Sequence, residues 1–166
     1  MSREEHNALV VTLGELLVQN RAWLVLAESC TGGMLGEWIT AVAGSSAYFL
    51  GGVVSYHDRV KERVLGVAPE LIRTYGAVSA ECAVAMARGA RELVSADIAL
   101  SITGVAGPGG GTIAKPVGTT FIALSTAGND HVEQHRWSGT RQENREQSAR
   151  AAINMLINYL GGESKV

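Results

Sequence analysis

Trp23-Leu24-Val25-Leu26-Ala27 is an unbroken apolar run, and Glu28-Ser29-Cys30-Thr31-Gly32-Gly33-Met34 follows it directly. The apolar run reads as a buried strand. From Met34 onward, Leu35, Trp38, Ile39 and Val42 recur at helical spacing, so Ser29 lies at a strand-to-helix junction. Helix N-termini leave backbone N–H groups without intrahelical partners, and such donors can steady an oxyanion on a substrate attacked by a neighbouring hydroxyl. Thr31, Gly32 and Gly33 are the expected donors, and Ser29 the expected nucleophile. The competing reading makes Ser29 an ordinary helix N-cap.

Upstream of this stretch, Leu9, Leu13, Leu16 and Leu17 predict an amphipathic helix. Downstream, Gly44-Ser45-Ser46 ends the helix that follows Ser29. Phe49 to Tyr56 reads as a second strand, with Gly51 and Gly52 marking a bulge or a close backbone approach. Asp58 is expected to cap a short helix through Leu65, and Pro69 suits the first turn of another. Ser79 caps the alanine-rich segment Ala80 to Val94. Ile98 to Val105, Val117 to Ser125 and Val132 to Trp137 read as strands, the last returning antiparallel after Gly128-Asn129-Asp130. Ala149, Ala152, Ile153, Leu156, Ile157 and Leu160 stripe a final helix that Gly161-Gly162 ends. Strands alternating with helices predict an α/β layered fold with a mostly parallel sheet, in one domain over residues 1–166.

The composition, 46% apolar and 18% charged, suits a single core that needs no crosslinks. A net charge of -2 with no dense Lys/Arg run gives nucleic acid or anionic membrane little to attract, which leaves small-molecule chemistry. Two cysteines form neither a disulfide framework nor a zinc site. The N-terminal residues lack the apolar core of a secretory signal and no segment reaches membrane-spanning length, so the expected compartment is the cytoplasm.

A serine needs a positioned base. Lys61 is the leading candidate, since a helix entered at Asp58 can bring it to the sheet edge that holds Ser29; Tyr56 could relay or donate a proton beside it. The plainer alternatives are a solvated lysine and a half-buried strand tyrosine. Cys30 is a second conceivable nucleophile, though adjacent side chains point in different directions. The loop Gly104 to Gly111 matches neither a dinucleotide fingerprint nor a phosphate-binding P-loop, and reads as room for backbone approach to a ligand or as a flexible crossover. Lys115 after it either meets a phosphate or begins the next strand. Arg141 and Arg145, four apart, can face one anionic group, or Arg145 can join Glu143 and Glu146 on a solvated face. His131 and His135 share a strand face with Glu133 and lack further ligands for a metal, so no metal site is expected.

Ala27-Glu28-Ser29-Cys30-Thr31-Gly32-Gly33, Tyr56 with Lys61, Leu65-Gly66-Val67, Gly104-Val105-Ala106-Gly107-Pro108-Gly109-Gly110 and Lys115-Pro116-Val117-Gly118 together resemble the CinA C-terminal-domain family, from about Arg21 to Leu160. The resemblance implies a three-layer α/β/α sandwich with a mixed sheet. It also implies nicotinamide-nucleotide amidohydrolase activity, in which nicotinamide mononucleotide and water give nicotinic acid mononucleotide and ammonia. On it, Ser29, Tyr56 and Lys61 take the catalytic roles, and Gly107, Gly109, Gly110, Arg141 and Arg145 become candidates for holding ribose and phosphate. That route requires no metal or cofactor, and the resemblance further suggests self-association and the standalone form of the enzyme. The chain departs from the family at Asp58, where Asn is common; a carboxylate there would favour protonated Lys61 or cap the helix. Members of the family need not all be deamidases, which leaves a nucleotide-binding or regulatory module as the alternative.

Overall fold

The structure, a computed structural model, describes residues 3–162. The apolar run forms β1 (Leu24–Glu28) at the inside of a five-stranded sheet. The other strands are β2 (Phe49–Val54), β3 (Ile98–Gly104), β4 (Thr119–Thr126) and β5 (Asp130–Arg136), in the order β2-β1-β3-β4-β5. β1 pairs in parallel with both β2 and β3, and β3–β4 and β4–β5 are antiparallel, so β4 alone runs against the rest. The sheet is mixed and mostly one-directional. The register slips between Leu24 and Val25, opposite Phe49 and Gly51, which places an irregularity at the glycine pair of β2.

Among the described residues the α-helices are α1 (Arg3–Gln19), α2 (Met34–Thr40), α3 (Asp58–Arg63), α4 (Pro69–Tyr75), α5 (Ala80–Leu93) and α6 (Arg141–Gly161). Alternation along the strands sorts the core into two layers. Leu24, Leu26, Leu100, Ile102, Ile122 and Leu124 pack with α1, α2 and α6, through residues such as Leu13, Ile39 and Leu156. Val25, Ala27, Ala99 and Ala123 face the other way, onto Ala83, Met86, Ala87 and Ala90 of α5. Small residues on both sides of that second layer let α5 approach the sheet closely. Gly89 extends the same economy outward: a Cβ there would stand 1.8 Å from the Leu65 carbonyl oxygen, so any side chain would push the α3–α4 connection off α5. Helices on both faces of the sheet give the three-layer α/β/α sandwich.

From β1 the chain passes through α2 to β2 on one side, then returns through α3, α4 and α5 to β3 on the other side of β1. Connections leaving neighbouring strands in opposite directions open a crevice at the carboxyl ends of those strands. The loops after β1, β2 and β3 all emerge there. Local boundaries differ in detail from the sequence reading. His57, not Asp58, caps α3: its Nδ1 accepts from the Arg59 amide at 3.1 Å, and Asp58 is the first helical residue. Among the described residues, no helix is long and apolar enough to cross a membrane.

Candidate functional site

Ser29 follows the last residue of β1, and its amide donates to Ile102 O of β3 at 2.9 Å, so the sheet ladder fixes its backbone. Lys61 lies in the single-turn-and-a-half helix after β2 and is almost wholly buried, 1% exposed. Its Nζ stands 3.1 Å from Ser29 Oγ, 2.8 Å from Ser55 O and 3.5 Å from Asp58 Oδ1. Residues thirty-two apart in sequence thus meet in the interior, because β1 and β2 are parallel neighbours whose carboxyl ends lie side by side. The solvated-lysine reading is corrected. A buried primary amine beside an alcohol is an arrangement in which lysine can act as a base.

Ser29 is not the helix cap. α2 begins at Met34, its N-cap is Gly33 in a left-handed conformation with φ 95°, and no side chain of the cap residue serves it. Glu28 serves it instead. This carboxylate, 3% exposed, accepts from the amides of Gly33 at 3.1 Å, Leu35 at 3.1 Å and Gly36 at 2.8 Å. A negative group at a helix N-terminus meets unpaired N–H groups and the positive end of the helix dipole together. The consequence corrects the expected oxyanion donors: Gly33 N–H is spent on Glu28, and Gly32 N–H on Ser29 O at 3.0 Å. Among the described residues, the amides of Cys30 and Thr31 donate to no backbone carbonyl.

A cleft of about 310 Å³ opens over this pair, lined by Ser29, Cys30, Tyr56, Asp58, Lys61, Thr103 and the loop after β3, with Arg141 beyond. Gly107, Gly109 and Gly110 are among its lining residues. Gly107 has φ 88° and a Cβ there would meet Val117 Cγ1 at 2.5 Å, so both conformation and space require glycine. Arg141, the first residue of α6, donates to Gly107 O at 2.7 Å and to Tyr56 Oη at 2.9 Å, joining the glycine loop to the end of β2 across the cleft. Tyr56 is 59% exposed, and among the described residues its hydroxyl has no hydrogen bond to Ser29 or Lys61. The contact between amine and alcohol is direct.

Arg145 goes elsewhere. Its Nη2 donates to Thr31 O at 2.7 Å and its Nη1 to Gln142 at 3.1 Å, behind the turn and off the cleft lining, so the two arginines do not share an anion. Lys115 likewise leaves the site, with its Nζ on Tyr75 O at the end of α4. His131 and His135 bracket Glu133 on β5, at the far edge of the sheet, and the described residues hold no group of three or more ligands fit for a metal. Burial pushes the Cys30 thiol up to about 11, which keeps it protonated and unreactive near neutrality.

Two contributors escaped the sequence reading. Glu28 ends a strand that is buried throughout, and a charge in such a strand must find partners; that signal was present. Asn144, buried in the first turn of α6, donates to Ala106 O at 3.1 Å and accepts from Gly139 N at 3.0 Å, pinning the root of the glycine loop. No local pattern distinguishes it from a solvent-facing asparagine.

The model of the CinA C-terminal domain matches residues 6–160. A CinA-like protein of Geobacter sp. (strain M21) is 51% identical over 157 residues, 95% of this chain and 38% of that protein. One from Desulfotalea psychrophila is 49% identical over 148 residues, 89% of this chain and 36% of that protein. The chain therefore spans less than two-fifths of the length of these curated relatives. Among solved structures, a competence-damaged protein (CinA) superfamily member from Klebsiella pneumoniae 700603 superposes with a TM-score of 0.91 at 34% identity, covering 94% of this chain and 98% of that one. The competence/damage inducible protein CihA from Agrobacterium tumefaciens gives 0.85 at 37%, covering 96% and 94%.

Proposed function

The chain belongs to the CinA C-terminal domain family, and from that premise we propose that it hydrolyses the carboxamide of nicotinamide mononucleotide to nicotinic acid mononucleotide and ammonia. The observation that carries the reading is the 3.1 Å contact between buried Lys61 Nζ and Ser29 Oγ at the floor of an open cleft. In its neutral form the amine keeps Ser55 O as acceptor for one N–H and turns its lone pair to the serine hydroxyl. Ser29 Oγ attacks the carboxamide carbon while Lys61 takes the hydroxyl proton. The N–H of Cys30, the residue after the nucleophile, donates to the oxyanion in this reading. Lys61 returns the proton to the amide nitrogen, the C–N bond breaks, and ammonia leaves an acyl-serine. Water then adds to the acyl carbon, giving its proton to Lys61 and finally to Ser29, and the carboxylate departs.

The rest of the nucleotide extends along the glycine loop. Gly109 and Gly110 offer backbone without side chains, and Arg141 at the cleft wall supplies a cation for the phosphate once it exchanges Tyr56 or Gly107 for the ligand. A second reading has its own support. Asp58 at 3.5 Å and the Ser55 carbonyl both suit an ammonium at Lys61, which fits a module that holds a nucleotide without turning it over.

Ammonia release from nicotinamide mononucleotide separates the two. Wild-type turnover is expected, with Ser29→Ala reducing it by about 10⁴-fold or more and Lys61→Ala by about 10³-fold. Binding without ammonia from the wild-type protein supports the module instead, and full activity in Ser29→Ala refutes the covalent route.

A further inference from the structure

Asp58 has a carboxylate that the fold leaves underused. His57 closes the N-terminus of α3, so Asp58 is not spent as a cap. Its charged contact is Lys61 Nζ at 3.5 Å, longer than the contacts of the same nitrogen with Ser29 Oγ and Ser55 O. The side chain is 47% exposed and lines the cleft. Through Lys61 it stands two short contacts from the nucleophile.

The cleft is therefore ordered in charge. Asp58 and Lys61 lie at the reacting end, and Arg141 reaches in from the glycine-loop side. When Lys61 is the neutral amine that catalysis needs, Asp58 is the one charged group left beside Ser29 among the residues lining the cleft there. A carboxylate in that position attracts a cation, and a partly buried one does so more strongly than one in open water. In nicotinamide mononucleotide the ring that bears the carboxamide is itself cationic, with one ring carbon between its nitrogen and the substituted carbon.

We propose that Asp58 is the counter-ion of the substrate's ring, selecting an amide carried on a cationic pyridinium over the same amide on a neutral ring. The inference rests on the nucleotide reading given above. It assigns Asp58 a role that caps and ion pairs do not: the arriving ring takes the carboxylate from Lys61 and frees the amine to face Ser29. A neutral ring gains nothing from Asp58 and leaves it paired with Lys61.

The test uses two ligands that differ in ring charge alone at the recognised groups: nicotinamide mononucleotide and its reduced form, whose dihydropyridine ring is uncharged while carboxamide, ribose and phosphate are retained. Binding is measured by titration calorimetry on Ser29→Ala protein, which prevents turnover. The oxidised nucleotide is expected to bind about fivefold more tightly, the size of a half-exposed charge pair. Adding Asp58→Asn should bring the two affinities within about twofold, chiefly by weakening the oxidised form, and adding Asp58→Glu should keep the preference. A preference unchanged by Asp58→Asn overturns the proposal, as does an equal loss in the Asn and Glu variants, which would assign the effect to shape. Equal binding of both nucleotides, with ammonia still released from the oxidised one by the wild type, sinks this inference alone. If neither nucleotide binds at millimolar concentration, the substrate reading fails and this inference fails with it.

Discussion

Ser29 at the end of β1 and Lys61 within α3 are buried, with their polar atoms bonded to other interior groups, whereas the opposite wall of the cleft is Gly109, Gly110 and the exposed start of α6 at Arg141. The floor is held by the sheet: Ser29 N on Ile102 O, Ser55 N on Glu28 O at 2.7 Å, and Glu28 on three amides of α2. The rim is held by side chains that reach over water, Arg141 to Gly107 O and Tyr56 Oη. Chemistry needs reacting atoms fixed to a fraction of an ångström, while recognition tolerates adjustment. Damage to the floor should therefore cost both stability and turnover, and damage to the rim should cost affinity.

Glu28→Ala is the hardest blow to the floor. It leaves the Gly33, Leu35 and Gly36 amides without their acceptor at a largely buried helix end, and it opens a void beneath Ser29. Unmade buried hydrogen bonds cost roughly 1–3 kcal/mol each, and partial access of water to the loop lowers the sum, so we expect a loss of about 3 kcal/mol. For a domain of this size that is a fall of about 6–12 °C in Tm. Thermal melting followed by circular dichroism measures it, and ammonia release should fall at least tenfold in the same protein. A variant with wild-type melting would show that the α2 terminus is not supported by Glu28.

Arg141 and Arg145 sharpen the contrast, because they sit one turn apart on the same helix yet one reaches Gly107 and the other Thr31. Arg145 braces Thr31 O, and so the turn that carries Ser29, from beneath. Arg145→Ala is expected to lower Tm by a few degrees and kcat by about tenfold, while Arg141→Ala raises KM for the nucleotide about tenfold and leaves Tm within a degree or two. Steady-state kinetics with melting curves on both proteins checks the pair. If both act on KM alone, or both on Tm alone, the division between floor and rim is wrong.

The sequence carried the floor better than the rim for a physical reason. A buried strand, a small residue pair and a helical stripe are local patterns, so β1, α2 and the order of later elements could be read from Trp23 to Leu160. The approach of Lys61 to Ser29 followed from β1 and β2 being parallel neighbours, which α/β alternation predicts. What fails to show locally is how a side chain divides its contacts. Arg141 and Arg145 have the same spacing, charge and helix, and only the positions of Gly107 and Thr31 in three dimensions send them apart. The same holds for Lys115, drawn to Tyr75 O by the carbonyl end of α4, and for the α3 cap, where His57 and Asp58 compete and the imidazole wins.

The mildest change falls on the residue nearest the nucleophile. Cys30 adjoins Ser29 and lines the same cleft, yet its thiol is buried and raised to about 11, chiefly because burial penalises the thiolate, with Glu28 adding to the effect and Arg145, Lys61 and its own amide opposing it. A group raised that far is protonated throughout the range below about 10, so between pH 7 and 9 it offers neither a nucleophile nor a ready target for alkylation. Cys30→Ala removes one sulfur from a packed position and leaves the backbone amide in place. Turnover should stay within about threefold of wild type, with a stability loss of about 1 kcal/mol. Iodoacetamide at pH 7.5 should leave the ammonia assay unaffected over the time in which a free thiol is consumed. Rapid inactivation at that pH, together with loss of activity in Cys30→Ala and its survival in Ser29→Ala, would move the nucleophile by one residue and require the floor to be redrawn around sulfur.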